Sequence, residues 1–216
     1  MSIDTTTDEL NRELDALETA FVIDDAAADL LFREAHTTSK FSDEPVTPAQ
    51  VEAVWDLIRW APTAMNSLPL RLLVVEQGEG RERLAPHMGD FNRDKTVAAP
   101  LTIVAAADPG FHRHLKTLAP FREGAEEQFE PLVEMREGMA RTSALIQIGY
   151  LIVGLRAAGL AVGPMTGFDA AALDADLFAE NGWKSLVVIN VGHPAEEDAH
   201  HPRQARLDFD TVAQVI

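Results

Sequence analysis

The chain has 216 residues, 46% of them hydrophobic, enough for one core of ordinary to large size, and it reads as a single domain over 1–216 with residues 1–10 frayed. Lys and Arg number 18 against 35 Asp and Glu, a formal charge of −17, and a field of that sign repels nucleic acid and anionic membrane, so neither is expected as a partner. Cysteine is absent, which excludes disulfides, thiolate catalysis and cysteine-ligated metal and suits a reducing cytoplasm; no basic-then-apolar stretch suggests a secretory signal.

Leu10, Leu14, Leu17 and Phe21, then Leu30 and Leu31, predict helices over Glu9–Phe21 and Asp25–Glu34. The run His36-Thr37-Thr38-Ser39-Lys40-Phe41 follows. Its hydroxyls serve a turn in the plain reading, and could equally hydrogen-bond a phosphate or a polyol. Thr47 with Gln50 is a capping box, Pro48 fits the first helical position, and Val51, Val54, Trp55 and Ile58 repeat at helical spacing. Pro62 stops that helix near Trp60.

Between Pro62 and Pro69 lies a loop of small and amide side chains, Thr63-Ala64-Met65-Asn66-Ser67-Leu68, followed by a strand at Leu70–Val75. A loop held at both ends is either an ordinary connection or a place where binding residues sit. A short helix over Glu79–His87, a polar turn at Phe91–Lys95 and a buried strand at Pro100–Ala107 come next. Residues 108–140 fit irregular helices of a lid or excursion. Arg141–Ala158 is apolar nearly all round, with Gly159 as its C-cap, so it is a core helix or a subunit interface; its most apolar part, Leu145–Leu155, is short for a bilayer. After the glycine-rich Ala161–Phe168, Asp169 caps a helix to about Ala179, and Ser185–Gly192 is a third buried strand. The alternation Leu207-Asp208-Phe209-Asp210 suggests an edge strand.

The dinucleotide, nucleotide-triphosphate, zinc-protease and serine-hydrolase signatures are absent. His112/His114 and His200/His201 lack partners at metal-binding spacing; they read as solvated surface histidines, and no metal is expected.

Taken in order, the His36–Phe41 run, Ala61-Pro62-Thr63-Ala64-Met65-Asn66 with Pro69, Phe91-Asn92 to Lys95, Gly163-Pro164-Met165-Thr166-Gly167-Phe168-Asp169, Leu186–Gly192 and the terminal arginines resemble the nitroreductase family of FMN-dependent oxidoreductases. Trp60–Asn66, Gly163–Asp169 and Arg203–Leu207 look most like its malonic semialdehyde reductase branch. The resemblance implies an α+β fold, a central mixed or antiparallel sheet flanked by helices, in a homodimer with FMN at the interface.

It further implies that His36, Thr37 and Ser39, with Lys95 and Arg206 and with Arg203 as a second candidate, meet the FMN phosphate and ribityl chain. Asn92 would bond the pyrimidine edge or ribityl side. Thr63, Ala64 and Asn66 would come from the other subunit, and the backbone of Pro164, Met165, Thr166 and Gly167 would line the reactive edge. Hydride passes from NADPH or NADH to the flavin and then to the acceptor in a ping-pong cycle, with no side chain catalytic. The implied acceptor is malonic semialdehyde, reduced to 3-hydroxypropionate, its carboxylate met by Arg71, Arg113 or His112. The alternatives are a nitroaromatic or quinone acceptor, a flavin-binding protein without turnover, or a cofactor-free binding module. The chain departs from the family at His36, where Arg is usual, at Ser39, where Arg or Lys is frequent, and at Leu68, where many members have Gln.

Overall fold

The computed structural model describes residues 21–216, so the helix predicted over Glu9–Phe21 lies, but for its last residue, outside the described residues. The chain divides into two compact units, one up to Ala35 and the other His36–Ile216. In the first, Asp24 caps α1 (Asp25–Ala28) by accepting from the Ala27 amide at 2.8 Å, and a π-helical turn over Asp29–Arg33 continues it.

The second unit is built on α2 (Pro48–Ile58), β1 (Leu70–Val75), α3 (Glu79–Leu84), α4 (Asp90–Ala98), β2 (Leu101–Ala107), α5 (Leu115–Leu118), α6 (Ala125–Phe129), α7 (Val133–Ala157), β3 (Ala161–Met165), α8 (Ala170–Leu177), β4 (Lys184–Gly192) and α9 (Phe209–Val212). The four strands form one antiparallel sheet in the order β1-β2-β4-β3. This matches the expected α+β architecture, in its antiparallel form.

All seven residues of β2 are buried, which requires cover on both faces of the sheet. One face takes Val51, Val54 and Ile58 of α2 and Ile148, Leu151 and Leu155 of α7 against Leu101, Ile103, Ile189 and Val162. The other packs Leu84, Met88, Leu173 and Phe178 on Val104, Ala106 and Val188. A third cluster, Phe111, Leu115, Ala125, Ala140 and Ala144, is the core of the excursion between β2 and α7, and Met65 and Phe129 lean on it. Arg81, 2% exposed, ties α3 to its neighbours through the carbonyls of Thr96, Ala99 (2.8 Å) and Val75 (3.0 Å); burial pulls its guanidinium down to about 10.

Several elements differ from the sequence reading. Phe91–Lys95 is not a turn but part of α4. Only Thr96 of that helix is buried, so it carries no apolar stripe to announce itself. The helix predicted from Arg141 begins at Val133, because Ala140 and Met139 dock on the excursion core while Glu134, Arg136 and Glu137 mask the periodicity. At 25 residues it is long and apolar enough to cross a membrane by length and composition, yet Ala144, Ile148, Leu151 and Leu155 are buried against the sheet and excursion, as in a core helix. Ala161–Met165 is an edge strand despite its glycine and proline. No strand forms at Leu207–Asp210: Asp208 is the extended N-cap of the single turn α9, which takes in Phe209 and Asp210, and the side chains are exposed.

On one face of the sheet α2 and α7 meet at Gly154. A Cβ added there would stand 2.4 Å from Ile58 Cγ2 and 3.1 Å from Val54 Cγ1, so glycine sets the approach of the two helices. Gly154→Ala is expected to destabilise the protein by about 1–3 kcal/mol through overpacking, read from urea or thermal unfolding. An unchanged or raised stability would show that the two helices are free to separate.

Candidate functional site

Two groups of the sequence-predicted site residues come together at β3. At its start, Thr37 bridges Val162 in parallel and the Thr38 amide donates to Val162 O at 2.9 Å, which lays His36–Ser39 alongside the strand. The chain near residue 200 closes over this segment. Thr38 bridges His200, and the Ser39 amide donates to Ala199 O at 2.9 Å. The result is a cluster of polar side chains at one end of the strand.

In that cluster Arg203 Nη2 lies 3.0 Å from His36 Nε2, and since a guanidinium only donates, the acceptor of that contact is the imidazole nitrogen. The rings of His36 and His200 are 4.9 Å apart, and Thr38 Oγ1 is 3.1 Å from His200 Nε2. The Ser39 hydroxyl donates to Ala199 O at 3.3 Å and needs only a side-chain rotation to donate elsewhere. His200 was missed by the sequence reading because nothing in a His-His pair after an acidic loop signals a phosphate-sized cluster; only the Thr38 bridge brings it in. Arg206 turns its Nη1 onto Gln204 O and Ala205 O, both at 3.0 Å, so of the two terminal arginines the one seated at His36 is Arg203.

At the other end of β3, roughly 10 Å from Val162 by the rise of three residues, the strand runs through Pro164 and Met165 into exposed Thr166 and Gly167. Asn92, on the first turn of α4, donates from Nδ2 to Gly167 O at 3.0 Å, and the Gly89 amide donates to the same oxygen at 3.0 Å. A Cβ at Gly167 would sit 2.6 Å from Asn92 Nδ2, so glycine is what lets this carboxamide close on the strand exit. Lys95 is exposed on α4. The arrangement offers anion donors at one end of a strand and an amide-edged, glycine-lined shelf at the other, which fits a planar group with a phosphate tail.

Thr63, Ala64 and Asn66 lie elsewhere. Their loop precedes β1, on the opposite edge of the sheet from β3, three strand spacings or roughly 14 Å away. Its anchors are the Ala64 amide on Ser143 Oγ (3.3 Å), Asn66 Nδ2 on Leu118 O (2.7 Å) and the Leu68 amide on Thr63 Oγ1 (3.2 Å). Met65, Asn66 and Leu68 have φ of 58°, 54° and 40°. Such non-glycine conformations cost on the order of 1–3 kcal/mol each and persist where surroundings enforce them.

The three cations suggested for a substrate carboxylate fare differently. Arg71 is paired with Asp108 at 2.6 Å, and His112 is fully buried with Nε2 at 2.5 Å from Glu130 Oε2, the hydrogen bond that holds the Glu130 carboxyl below its usual range. His112 is therefore not a solvated surface histidine. Arg113 is exposed.

The family model described as Nitroreductase family matches residues 32–193, well over half of the chain. The chain belongs to the nitroreductase family. A Streptomyces griseus protein with the provisional name NADH dehydrogenase/NAD(P)H nitroreductase is 47% identical over 197 residues, covering 91% of this chain and 100% of that protein. A protein of the same provisional name from Leptothrix cholodnii is 43% identical, covering 90% and 98%. Among solved structures, a nitroreductase family protein of Streptococcus pneumoniae superposes with a TM-score of 0.72 at 22% identity over 86% of this chain and 98% of that one. A provisionally named nitroreductase of Exiguobacterium sibiricum, solved in complex with FMN, gives 0.71 at 17% identity, covering 87% and 96%. At those identities the two structures speak for the nitroreductase fold alone.

Partial burial, and then the neighbouring His36, push His200 below its ordinary value near 6.5. A folded value below the unfolded one means the unfolded chain binds more protons, so stability rises with pH below about 6.5 and is lost on acidification. The melting temperature without ligand is expected to fall between pH 7.5 and 5.5, and His200→Asn to flatten part of that fall. An identical slope in the variant would remove His200 as its source.

Proposed function

We propose that this nitroreductase-family chain is an FMN-dependent NAD(P)H oxidoreductase acting as a homodimer in the cytoplasm, each flavin site being shared between two subunits. The observation that carries the reading is the separation of the site residues. In one subunit the β3 cluster and the Thr63–Asn66 loop occupy opposite edges of a four-stranded sheet, so a site using both takes the loop of a second copy.

Exposed apolar side chains support that second copy. Leu145, Ile146 and Tyr150 stand 43%, 44% and 47% exposed on α7, with Leu57 and Trp60 at 62% and 80% on α2 and just beyond it. Apolar side chains in such a stripe are unfavourable in water and suit a subunit interface. The stripe lies on the very helix whose other side fills the core.

Bound FMN supplies the hydride chemistry, accepting from a nicotinamide and donating to the acceptor. The chain's part is placement. His36, Thr37, Ser39 and Arg203, with His200 beside them, meet the phosphate through charge-assisted and hydroxyl donors, and Lys95 and Arg206 join them if their side chains re-aim. Asn92, Pro164, Met165, Thr166 and Gly167 line the ring, which keeps groups that do not themselves react at the reactive edge. Thr63, Ala64 and Asn66 of the second subunit close the other side. No side chain here is assigned as proton donor, and solvent can serve.

For the acceptor, the internal pairing of Arg71 and His112 takes two of the three suggested cations away from a small carboxylate. The similar curated proteins are named nitroreductases. Both favour a neutral nitroaromatic or quinone over malonic semialdehyde.

The purified protein, with FMN added, is expected to show flavin bands that bleach under anaerobic NADPH or NADH and return on adding a nitroaromatic or quinone. The kcat/KM for those acceptors is expected to exceed that for malonic semialdehyde. Faster turnover of the aldehyde would reverse the acceptor assignment, and failure to bind FMN would end the flavoenzyme reading. Leu145→Glu with Tyr150→Glu is expected to yield a monomer by light scattering with FMN affinity lost; a monomer that keeps full affinity would place the whole flavin site in one subunit.

A further inference from the structure

We infer that the Arg71–Asp108 pair is a positioning device for the flavin, a brace that holds the Thr63–Pro69 loop in its left-handed conformation; the inference rests on the proposed role of Thr63, Ala64 and Asn66 at the cofactor.

Leu68 has a branched apolar side chain and φ of 40°, a conformation that such a residue rarely adopts unless its peptide groups are held. They are held by one guanidinium. Arg71 Nη1 donates to Leu68 O and to Leu70 O, each at 2.9 Å, while Nη2 reaches Asp108 Oδ2 at 2.6 Å. Asp108 completes the clamp from the far side of the β1–β2 ladder: its amide donates to Pro69 O at 2.9 Å, and its Oδ1 accepts from the Gly110 amide at 2.7 Å. The Leu70 amide goes to the buried Gln147 carboxamide at 3.0 Å. With the Leu68 amide on Thr63 Oγ1, every backbone donor and acceptor from Leu68 to Leu70 is engaged, and three of those groups depend on Arg71 or Asp108.

The pair is shielded, with side chains 20% and 12% exposed, so solvent and salt screen it less than a surface ion pair. Only the forked guanidinium suits the job. Its donors serve two carbonyls and a carboxylate at once, which a lysine ammonium reaches less well and a methionine not at all. Asp108 also begins the excursion, since Gly110 and Phe111 both turn back onto it, so the same residue sets the loop and the start of the segment on which Met65 packs. The loop that would touch a flavin is thus ordered before any flavin arrives.

The test is the double variant R71M/D108N. It leaves no unpaired buried charge and keeps a carboxamide oxygen at position 108 for the Gly110 amide, but removes the donors to Leu68 and Leu70. FMN affinity by fluorescence quenching, melting temperature without FMN, mass by light scattering and amide exchange of residues 63–70 are measured together. The expected result is a folded dimer with a near-wild-type melting temperature, an FMN Kd raised about tenfold or more, the equivalent of losing the order of one strained residue, and faster exchange across 63–70. Wild-type affinity and exchange in the double variant would overturn the brace while leaving the flavin reading intact. A wild-type protein that binds no FMN would instead overturn the flavin reading, and the brace with it. Should the double variant unfold, R71K keeps the charge for Asp108 and meets the same criteria: unchanged Kd and exchange refute the brace, and a raised Kd with an unchanged melting temperature supports it.

Discussion

The constraint on which the structure depends is that β2 has no side for water. Seven consecutive buried residues, Leu101–Ala107, demand a layer above and a layer below, and with β4 almost as apolar the pair can occupy only the middle of the sheet. The less apolar strands are pushed to the edges. β1 carries Arg71, and β3 carries Gly163 and Pro164, neither suited to a central ladder. Chemistry collects at those edges for the same reason, since polar groups there need no burial on both sides. A site that draws on both edges is therefore divided within a subunit by the core that makes the subunit stable, and the proposed dimer is the way to reunite it.

The elements written in local chemistry were legible. Thr47, Pro48 and Gln50 start α2 where a capping box should, the Thr47 amide donating to Gln50 Oε1 at 2.9 Å, and Asp169 caps α8 by accepting from Ala172. Pro62 and Pro69 bound the loop, and apolar runs mark β1, β2 and β4. What escaped notice is set by tertiary partners. α4 is polar because it buries only Thr96. β3 contains a glycine and a proline because an edge strand with His36–Ser39 laid beside it tolerates both. The excursion's order comes from His112 on Glu130 and from Arg136 on Pro109 O (2.9 Å) and Glu130 O (3.0 Å), pairings between residues 6 to 27 apart that no periodicity encodes.

The charge balance explains where the cations go. Of the arginines, Arg81 is engaged by three carbonyls, Arg136 by two, Arg83 by Asp176 and Arg71 by Asp108. A chain with 18 basic residues against 35 acidic ones has used these guanidiniums as structural forks, because a planar five-donor group satisfies converging carbonyls better than any other side chain.

The phosphate end of the site obeys the same scarcity of cations with a different outcome. A guanidinium is charged at every accessible pH; an imidazole is charged only when a neighbouring anion or an acid medium makes it so. With Arg203 seated on His36 and His200 held below its usual value by partial burial and then by its neighbour, the cluster has one firm positive charge in Arg203 and a latent one in His200. A dianionic phosphate placed beside them favours protonation of the His200 ring, since an opposite charge within hydrogen-bond reach raises a histidine's proton affinity. Cofactor capture under the proposed reading is then coupled to proton uptake at His200, and Arg203 need not face a second fixed cation before the phosphate binds.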